Sequence, residues 1–144
     1  MWGQFAVIGV VVGLGLVPPH WPVGAHGVLT VIGVALAAAG GGIAVWSSRL
    51  LGRGFTPYPT PLPVGKLVEA GPYRVVRHPV YAGGLLFFVG YSLYASAPAL
   101  AATCVLGVVW ALKARVEERF LRQRYTAYEG YAERVRFRLV PFVY

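Results

Sequence analysis

The sequence predicts an all-α, polytopic integral membrane protein with about four transmembrane helices, a helical hairpin and a cytoplasmic C-terminal helix. Two observations lead to this fold class. Of the 144 residues, 57% are hydrophobic and only 12% are charged, whereas a soluble domain usually carries about 25% charged residues. The hydrophobic residues also form long uncharged runs, as helices that cross a bilayer require. The length suits one domain, residues 1–144.

Four apolar runs define the predicted spans, which are residues 3–17, 26–46, 80–95 and 99–112. The first is a little shorter than the usual span of ~20 residues. The last two flank an uncharged turn that contains Pro98, so they predict a tight helical hairpin. The polar segment 113–138 follows the fourth run and predicts a helix that leaves the membrane.

Small residues recur at intervals of four in the first two runs. They are Gly9 and Gly13 in the first run, and Gly33, Ala37 and Gly41 in the second. Such a stripe allows helices to approach closely in lipid.

The basic excess has two interpretations. Thirteen Lys and Arg stand against five acidic residues, a net charge of +8, which can indicate nucleic-acid binding. The basic residues are confined to segments 47–79 and 113–138, however, as in the cytoplasmic loops of membrane proteins. We therefore predict both termini in the cytoplasm, the two basic segments on one side of the membrane, and no nucleic-acid partner. Cys104 is the only cysteine, which excludes an intrachain disulfide and a CxxC metal site.

The segment between the second and third runs is long for a connector. Its prolines alternate at Pro57, Pro59, Pro61 and Pro63, a spacing that excludes a helix and favours an extended, polyproline-like path. Connectors of this length are often functional.

The densest polar cluster lies in GPYRVVRHPVYAG, residues 71–83. Pro79 suits the first turn of a helix, whose N–H groups, together with Arg77 and His78, favour an anion. Glu117 and Glu118 follow the fourth run and are expected near this cluster. Cations on one wall of a pocket and carboxylates on the other suit an amino-acid ligand or one that carries hydroxyls.

Simpler interpretations exist for several of these residues. Arg77 suits a topology anchor, and Glu118 with Arg122 suits an ordinary surface pair at i, i+4. For the tyrosines of the C-terminal segment we favour a membrane-interface belt. They are Tyr125, Tyr128 and Tyr131.

Two blocks carry a family resemblance. GPYRVVRHPVYAG resembles the G-x-Y-x-x-x-R-H-P-x-Y-x-G motif of the isoprenylcysteine carboxyl methyltransferase family, to which the phospholipid N-methyltransferases are related. EERFLRQRYTAYEGYAERVRFRLVPF is similar to the family's second block, and GRGFTPYPTPLPVGKLVEAGPY looks like its bacterial branch. The resemblance covers about residues 52–142.

The resemblance implies an S-adenosylmethionine-dependent methyltransferase in a bacterial or archaeal cytoplasmic membrane, with segment 52–79 as the cofactor loop. The implied cofactor-binding residues are Leu67, Val68, Tyr73, His78, Pro79, Val80, Tyr81, Glu117 and Glu118. The family's acceptor-binding arginine corresponds to Lys113 here, and Arg115 is out of register by two. Both are predicted substrate-binding residues, since either cation could hold a carboxylate acceptor. Arg77 and Glu118 are the predicted catalytic residues, with Glu118 taking a proton if the acceptor is an amine.

Four functions are compatible with the sequence. A lipid-borne carboxylate, as in isoprenylcysteine methylation, is the favoured acceptor, and a phospholipid amine is the alternative. A sterol reductase that uses NADPH ranks behind them, because this chain is much shorter. A non-catalytic membrane scaffold, assembled through the small-residue stripes, is the alternative from another class.

Overall fold

The computed structural model describes residues 3–17, 21–54 and 67–141, and all regular structure within these ranges is helical. The helices are α1 (Gly3–Leu16), α2 (Val23–Leu51), α3 (Pro79–Ala95), α4 (Ala97–Arg124) and α5 (Tyr128–Arg134). Two short 3-10 turns cover Gly52–Gly54 and Gly71–Arg74. The all-α prediction is confirmed for these ranges. The alternating prolines 57–63 lie outside the described residues.

Local sequence explains where the helices begin and end. Helix α2 ends at Leu51 because Gly52 adopts a φ of 51°, the left-handed conformation that commonly terminates helices. Helix α3 begins at Pro79, as the sequence predicts. Only Ser96 separates α3 from α4, and the hydroxyls of Ser92 and Thr103 join the two helices at 2.9 Å. The predicted short turn is therefore present, but it is limited to Ser96. Pro98 lies in the first turn of α4, where a proline is tolerated.

The sequence predicted one continuous helix over residues 113–138, but the structure shows that this segment is interrupted. Helix α4 extends to Arg124, the chain turns at 125–127, and α5 ends at Arg134. A backbone hydrogen bond of 3.0 Å from Tyr128 to Tyr125 stabilises the turn. The interruption has a physical reason, because it returns Tyr128 and Tyr131 to the core of the C-terminal half.

Within the residues that the structure describes, two helices are long and apolar enough to cross a membrane, Gly24–Leu51 and Ala97–Arg124. Helices α1 and α3 have 14 and 17 residues, or ~21 and ~26 Å at the helical rise, against a hydrocarbon core of ~30 Å. Large apolar side chains also face outward, with Leu16 73% and Val31 71% exposed, as membrane association requires. The four-span topology stays a prediction.

The chain forms two compact units. Unit 1 comprises Met1–Gly42 and Gly83–Trp110, and unit 2 comprises Ile43–Ala82 and Ala111–Tyr144. In unit 1, α2 and α3 pack backbone to backbone. A Cβ atom at Gly33 would lie 2.5 Å from the carbonyl oxygen of Gly90, and one at Gly40 would meet the backbone of α3 in the same way.

The small-residue stripe of α2 therefore contributes to packing, although not with every predicted member. Gly33 and Ala37 face Gly90, but the third contact comes from Gly40, because Gly41 meets only the Phe87 side chain at an ordinary 3.6 Å. No atom lies within 4 Å of a Cβ built at Gly9 or Gly13. For that pair, the described residues contain no close approach.

The core of unit 2 is built around three residues of the C-terminal segment, Tyr128, Tyr131 and Val135, with Leu67 and Leu121 packed against them. Tyr128 is 1% exposed and Tyr131 is 2% exposed. The membrane-interface belt is therefore wrong for these two tyrosines. Their rings fill the core of unit 2, and the hydropathy of the sequence does not show where that core lies.

Candidate active site

All the predicted site residues belong to unit 2. The first part of the site is the turn that precedes α3. Gly71 has a φ of 58°, and a Cβ atom there would lie 2.9 Å from Leu50 and 3.1 Å from Trp46. Glycine is therefore the residue that this turn accepts without strain. Two residues on, Tyr73 is buried and its hydroxyl donates to the carbonyl of Ser47 at 3.4 Å.

The Arg77–His78 segment is fastened to the chain that follows α5. The backbone N–H of Arg77 donates to the carbonyl of Phe137, and that of His78 donates to the carbonyl of Arg138, both at 2.9 Å. The carbonyl of His78 accepts from Ala82 at 3.0 Å and so starts α3. These bonds fix the direction in which the two side chains leave the backbone.

Glu118 is the centre of a buried ionic network. Its side chain is 3% exposed and lies 2.8 Å from Arg77 Nε, 3.3 Å from His78 Nε2 and 3.2 Å from Arg138 Nε. Burial raises the pKa of this carboxyl, but the hydrogen bonds from His78 and Arg77 and their charges outweigh it and lower the pKa to about 2. Glu118, which lies beyond the predicted fourth span, is therefore ionised at neutral pH.

The guanidinium of Arg77 also binds backbone. Its Nη1 donates to the carbonyls of Ala132, Val135 and Arg136 at 3.3, 2.8 and 3.1 Å. With Glu118 on Nε, these contacts favour a structural role for Arg77 over the predicted catalytic one. The proposed surface pair of Glu118 with Arg122 is wrong, since Arg122 pairs with Glu129 at 3.3 Å.

His78 lies between two carboxylates. Its Nδ1 is 3.5 Å from Glu117 and its Nε2 is 3.3 Å from Glu118, while the ring stacks on Tyr81 with centroids 5.7 Å apart. Burial lowers the pKa of His78, but hydrogen bonds and charge from Glu117 and Glu118 raise it more, so that the pKa lies above its ordinary value. The site thus favours the imidazolium form.

The predicted cations and carboxylates are not on opposite walls, because they pair directly with each other. The Glu117 carboxylate is more accessible to a ligand than that of Glu118, since its side chain is 18% exposed. Lys113 Nζ lies 5.2 Å from the centroid of the Tyr81 ring. The Tyr128 hydroxyl is buried without a hydrogen-bond partner within the described part of the chain.

The remaining predicted residues occupy more ordinary positions. Leu67 packs on the tyrosine core, Pro79 is fully buried, Val68 and Val80 are half-buried, and Arg115 is exposed. Sequence reasoning missed Arg138, one of eight basic residues in the C-terminal segment, and it misjudged Tyr128 and Tyr131. The Tyr131 hydroxyl donates to the carbonyl of Tyr73 at 2.8 Å. No local pattern distinguished these three residues from their neighbours.

Comparison with known proteins identifies the family of this chain. A family model described as phospholipid methyltransferase matches residues 28–128, which is more than half of the chain. The chain belongs to the phospholipid methyltransferase family. The matched range contains the whole first block, 71–83, and the second block as far as Tyr128. The family resemblance predicted from these blocks is therefore confirmed.

Curated relatives of this phospholipid methyltransferase family member share about half of its length. Two proteins named probable protein-S-isoprenylcysteine O-methyltransferase, from Oryza sativa subsp. indica and subsp. japonica, are 40% identical over 81 residues, which is 54% of this chain and 42% of theirs. A cobalt-zinc-cadmium resistance protein, CzcN, from Cupriavidus metallidurans is 40% identical over 72 residues, 47% of this chain and 32% of its own. The chain thus spans less than half the length of the curated relatives it matches.

Proposed function

We propose that this protein is a membrane methyltransferase that uses S-adenosylmethionine and acts on a hydrophobic or lipid-linked acceptor. The observation that carries the proposal is the buried network around Glu118. It joins both family blocks, Arg77 and His78 from the first and Glu118 and Arg138 from the second, and it holds His78 and Glu117 beside Tyr73 and Tyr81. Family membership and the names of the rice relatives support the reaction class.

The side chains of the site fit the proposed cofactor. S-adenosylmethionine presents an ammonium group, ribose hydroxyls and a sulfonium, for which carboxylates and aromatic faces are suitable partners. Glu117 retains partial exposure, and the Tyr128 hydroxyl is a buried polar group without a partner among the described residues, as expected where a ligand or water completes the hydrogen bonding. When bound, the cofactor supplies an electrophilic methyl group.

We assign the holding of the cofactor to Tyr73, His78, Tyr81 and Glu117, with Leu67, Val68, Pro79 and Val80 as its apolar surroundings. Glu118 is assigned a positioning role instead of the acid–base role that the sequence suggested. A carboxylate whose pKa is about 2 and which is bound by three cationic groups is a weak general base. Arg77 and Arg138 hold this carboxylate, and through it they orient His78.

This assignment favours a carboxylate acceptor over an amine. A carboxylate attacks a sulfonium methyl without losing a proton, so it needs alignment and exclusion of water. It also needs a cation to hold it, and Lys113 is the residue we propose. The phospholipid amine stays the alternative, and it would require a proton acceptor other than Glu118.

Cofactor binding is tested by calorimetry on the detergent-solubilised protein with S-adenosylmethionine, its demethylated product and NADPH. The first two should bind. Glu117→Gln should weaken both by roughly ten- to a hundred-fold, the value of one charge-assisted hydrogen bond. Glu133→Gln, the same change at an exposed position, should not. Binding of NADPH alone would indicate a reductase, and binding of none of the three would favour the scaffold.

The acceptor is tested through Lys113. Lys113→Met should raise the acceptor KM or lower kcat without changing cofactor affinity, and Lys113→Arg should retain much of the activity because it keeps the charge. Arg115→Met is the comparison, two residues out of register and exposed. Equal losses in both Met variants would contradict a specific role for Lys113. Methylation of a labelled lipid extract would identify the acceptor itself.

A further inference from the structure

Unit 2 contains a cleft that the proposed reaction does not use. Its volume is about 300 Å³, and three arginines and an apolar wall line it. The arginines are Arg74, Arg134 and Arg136, and the apolar wall consists of Val75, Val135, Phe137 and Pro141. None of these residues belongs to the proposed cofactor or acceptor sites. The cleft therefore needs an explanation of its own.

Two of the three arginines of the cleft carry a positive charge that no carboxylate of the described residues balances. Arg134 is paired with Glu69 at 2.5 Å. Arg74 and Arg136 are exposed and form no ion pair within the described residues. Two guanidinium groups thus face the cleft with their forked donors available, and that geometry matches phosphate oxygens.

The two arginines come from separate segments that the fold fixes against each other. Arg74 ends the turn before α3, and Arg136 follows α5. Two hydrogen bonds from Arg77 connect these segments. Its backbone N–H donates to the carbonyl of Phe137 at 2.9 Å, and its guanidinium donates to the carbonyl of Arg136 at 3.1 Å. The cleft is therefore a preorganised arrangement, which lowers the entropic cost of binding a ligand.

We propose that this cleft binds the phosphate of an anionic lipid headgroup. Arg74 and Arg136 bind the phosphate, and Val75, which is 55% exposed, lies with Phe137 and Pro141 against the glycerol and the first acyl carbons. The apolar wall favours a lipid over free phosphate, because a free anion gains nothing from it. Basic clefts of membrane proteins recognise anionic lipids in this way.

The test uses the full chain in detergent and native mass spectrometry with equimolar phosphatidylglycerol and phosphatidylcholine of identical acyl chains. Phosphatidylglycerol adducts should predominate. The double variant Arg74→Gln/Arg136→Gln should weaken phosphatidylglycerol binding by roughly tenfold and abolish the preference. The matched control is Arg49→Gln/Arg119→Gln, which removes the same charge from two exposed arginines of unit 2 and should keep the preference.

Three results would overturn the proposal. One is an unchanged preference in the Arg74/Arg136 double variant. Another is an equal loss in the control, since net charge and not the cleft would then explain the selectivity. The third is displacement of phosphatidylglycerol by inorganic phosphate at equal concentration, which would indicate a free-anion site. Circular dichroism of each variant establishes that the helices are intact, so a loss of binding is assigned to the cleft.

Discussion

At the scale of single residues, Arg77 connects three parts of unit 2 through one guanidinium. It reaches Glu118 on α4, the carbonyls of Ala132 and Val135 at the end of α5, and Arg136 beyond it. A planar group with five donors suits this task, and the single ammonium of lysine does not. The family motif therefore contains, at this position, a residue that holds the fold of the site together.

Replacing Arg77 should destabilise the protein strongly. Arg77→Gln leaves Glu118 buried with fewer partners, and breaking such a buried pair costs about 3–5 kcal/mol in the free energy of unfolding. Thermal unfolding in detergent, followed by tryptophan fluorescence, measures the effect. Arg122→Gln is the control, because its pair with Glu129 is 44% and 62% exposed and should contribute at most about 1 kcal/mol. Similar losses in the two variants would contradict the network.

The ionisation of His78 gives a prediction with a definite sign. Its pKa in the folded protein lies above the ordinary 6.5, because Glu117 and Glu118 outweigh the effect of burial. A raised pKa means that protonation stabilises the fold. This contribution is complete below pH 6.5 and is lost as the pH rises through the folded-state pKa.

Two measurements check this sign. In the NMR spectrum of histidine-labelled protein, the His78 imidazole should titrate above pH 6.5, and Glu117→Gln should move the midpoint down. The stability difference between the wild type and His78→Gln should shrink as the pH is raised from about 6 to about 9. A difference that grows with pH would mean that the folded protein prefers the neutral ring.

At the scale of elements, the packing of α2 on α3 depends on glycine backbones. Gly40 faces the carbonyl of Gly83 and the backbone N–H of Phe87, with no space for a side chain. Close contacts of this kind are a main source of helix association in lipid. The run Gly40–Gly41–Gly42 provides an internal control, because a Cβ at Gly42 meets nothing within 4 Å.

Alanine substitutions along this run should therefore differ in sign. Gly40→Ala should separate the helices and lower the unfolding temperature in detergent. Gly42→Ala should be neutral or stabilising, by up to about 1 kcal/mol, because alanine has the higher helix propensity. If the two variants lower the unfolding temperature equally, the backbone contact at Gly40 is unimportant, because Gly42 has no such contact.

At the scale of the whole molecule, membrane association rests on two long apolar helices and on outward-facing valines and leucines. The orientation rests on charge. All thirteen Lys and Arg lie in segments 47–79 and 113–138, which the positive-inside rule assigns to the cytoplasm. We propose four spans with both termini cytoplasmic, in which α1 and α3 cross with help from flanking residues or local thinning of the bilayer.

Cysteine labelling tests this topology. In a Cys104→Ser background, Pro22→Cys and Ala97→Cys should react with a membrane-impermeant maleimide from outside the cell, and Gly54→Cys and Val140→Cys should react only after permeabilisation. The charge distribution is the reason for the expected sides. Labelling of residue 54 from outside intact cells would overturn the arrangement.

The sequence by itself determined the helical class, the positions of the main helices and the family. Apolar runs and the residues that end them, Gly52 and Pro79, act locally, so they can be read along the chain. The blocks around His78 and Glu118 also indicated which residues belong to one site. The prediction of a continuous C-terminal helix was wrong for the same reason. The local helix propensity extends past Arg124, but the tertiary core requires a turn there.

Only the tertiary structure decided how the site residues pair. Glu118 is in a position to pair with Arg122 on its own helix, yet it binds Arg77 and Arg138, 41 and 20 residues away. Tyr128 and Tyr131 look like interface residues and are buried. The physical reason is that a charged or aromatic side chain is stable in several environments, and the choice depends on the desolvated space that distant segments enclose. That space exists only after the start of α3, the C-terminal part of α4 and the segment following α5 have packed within unit 2.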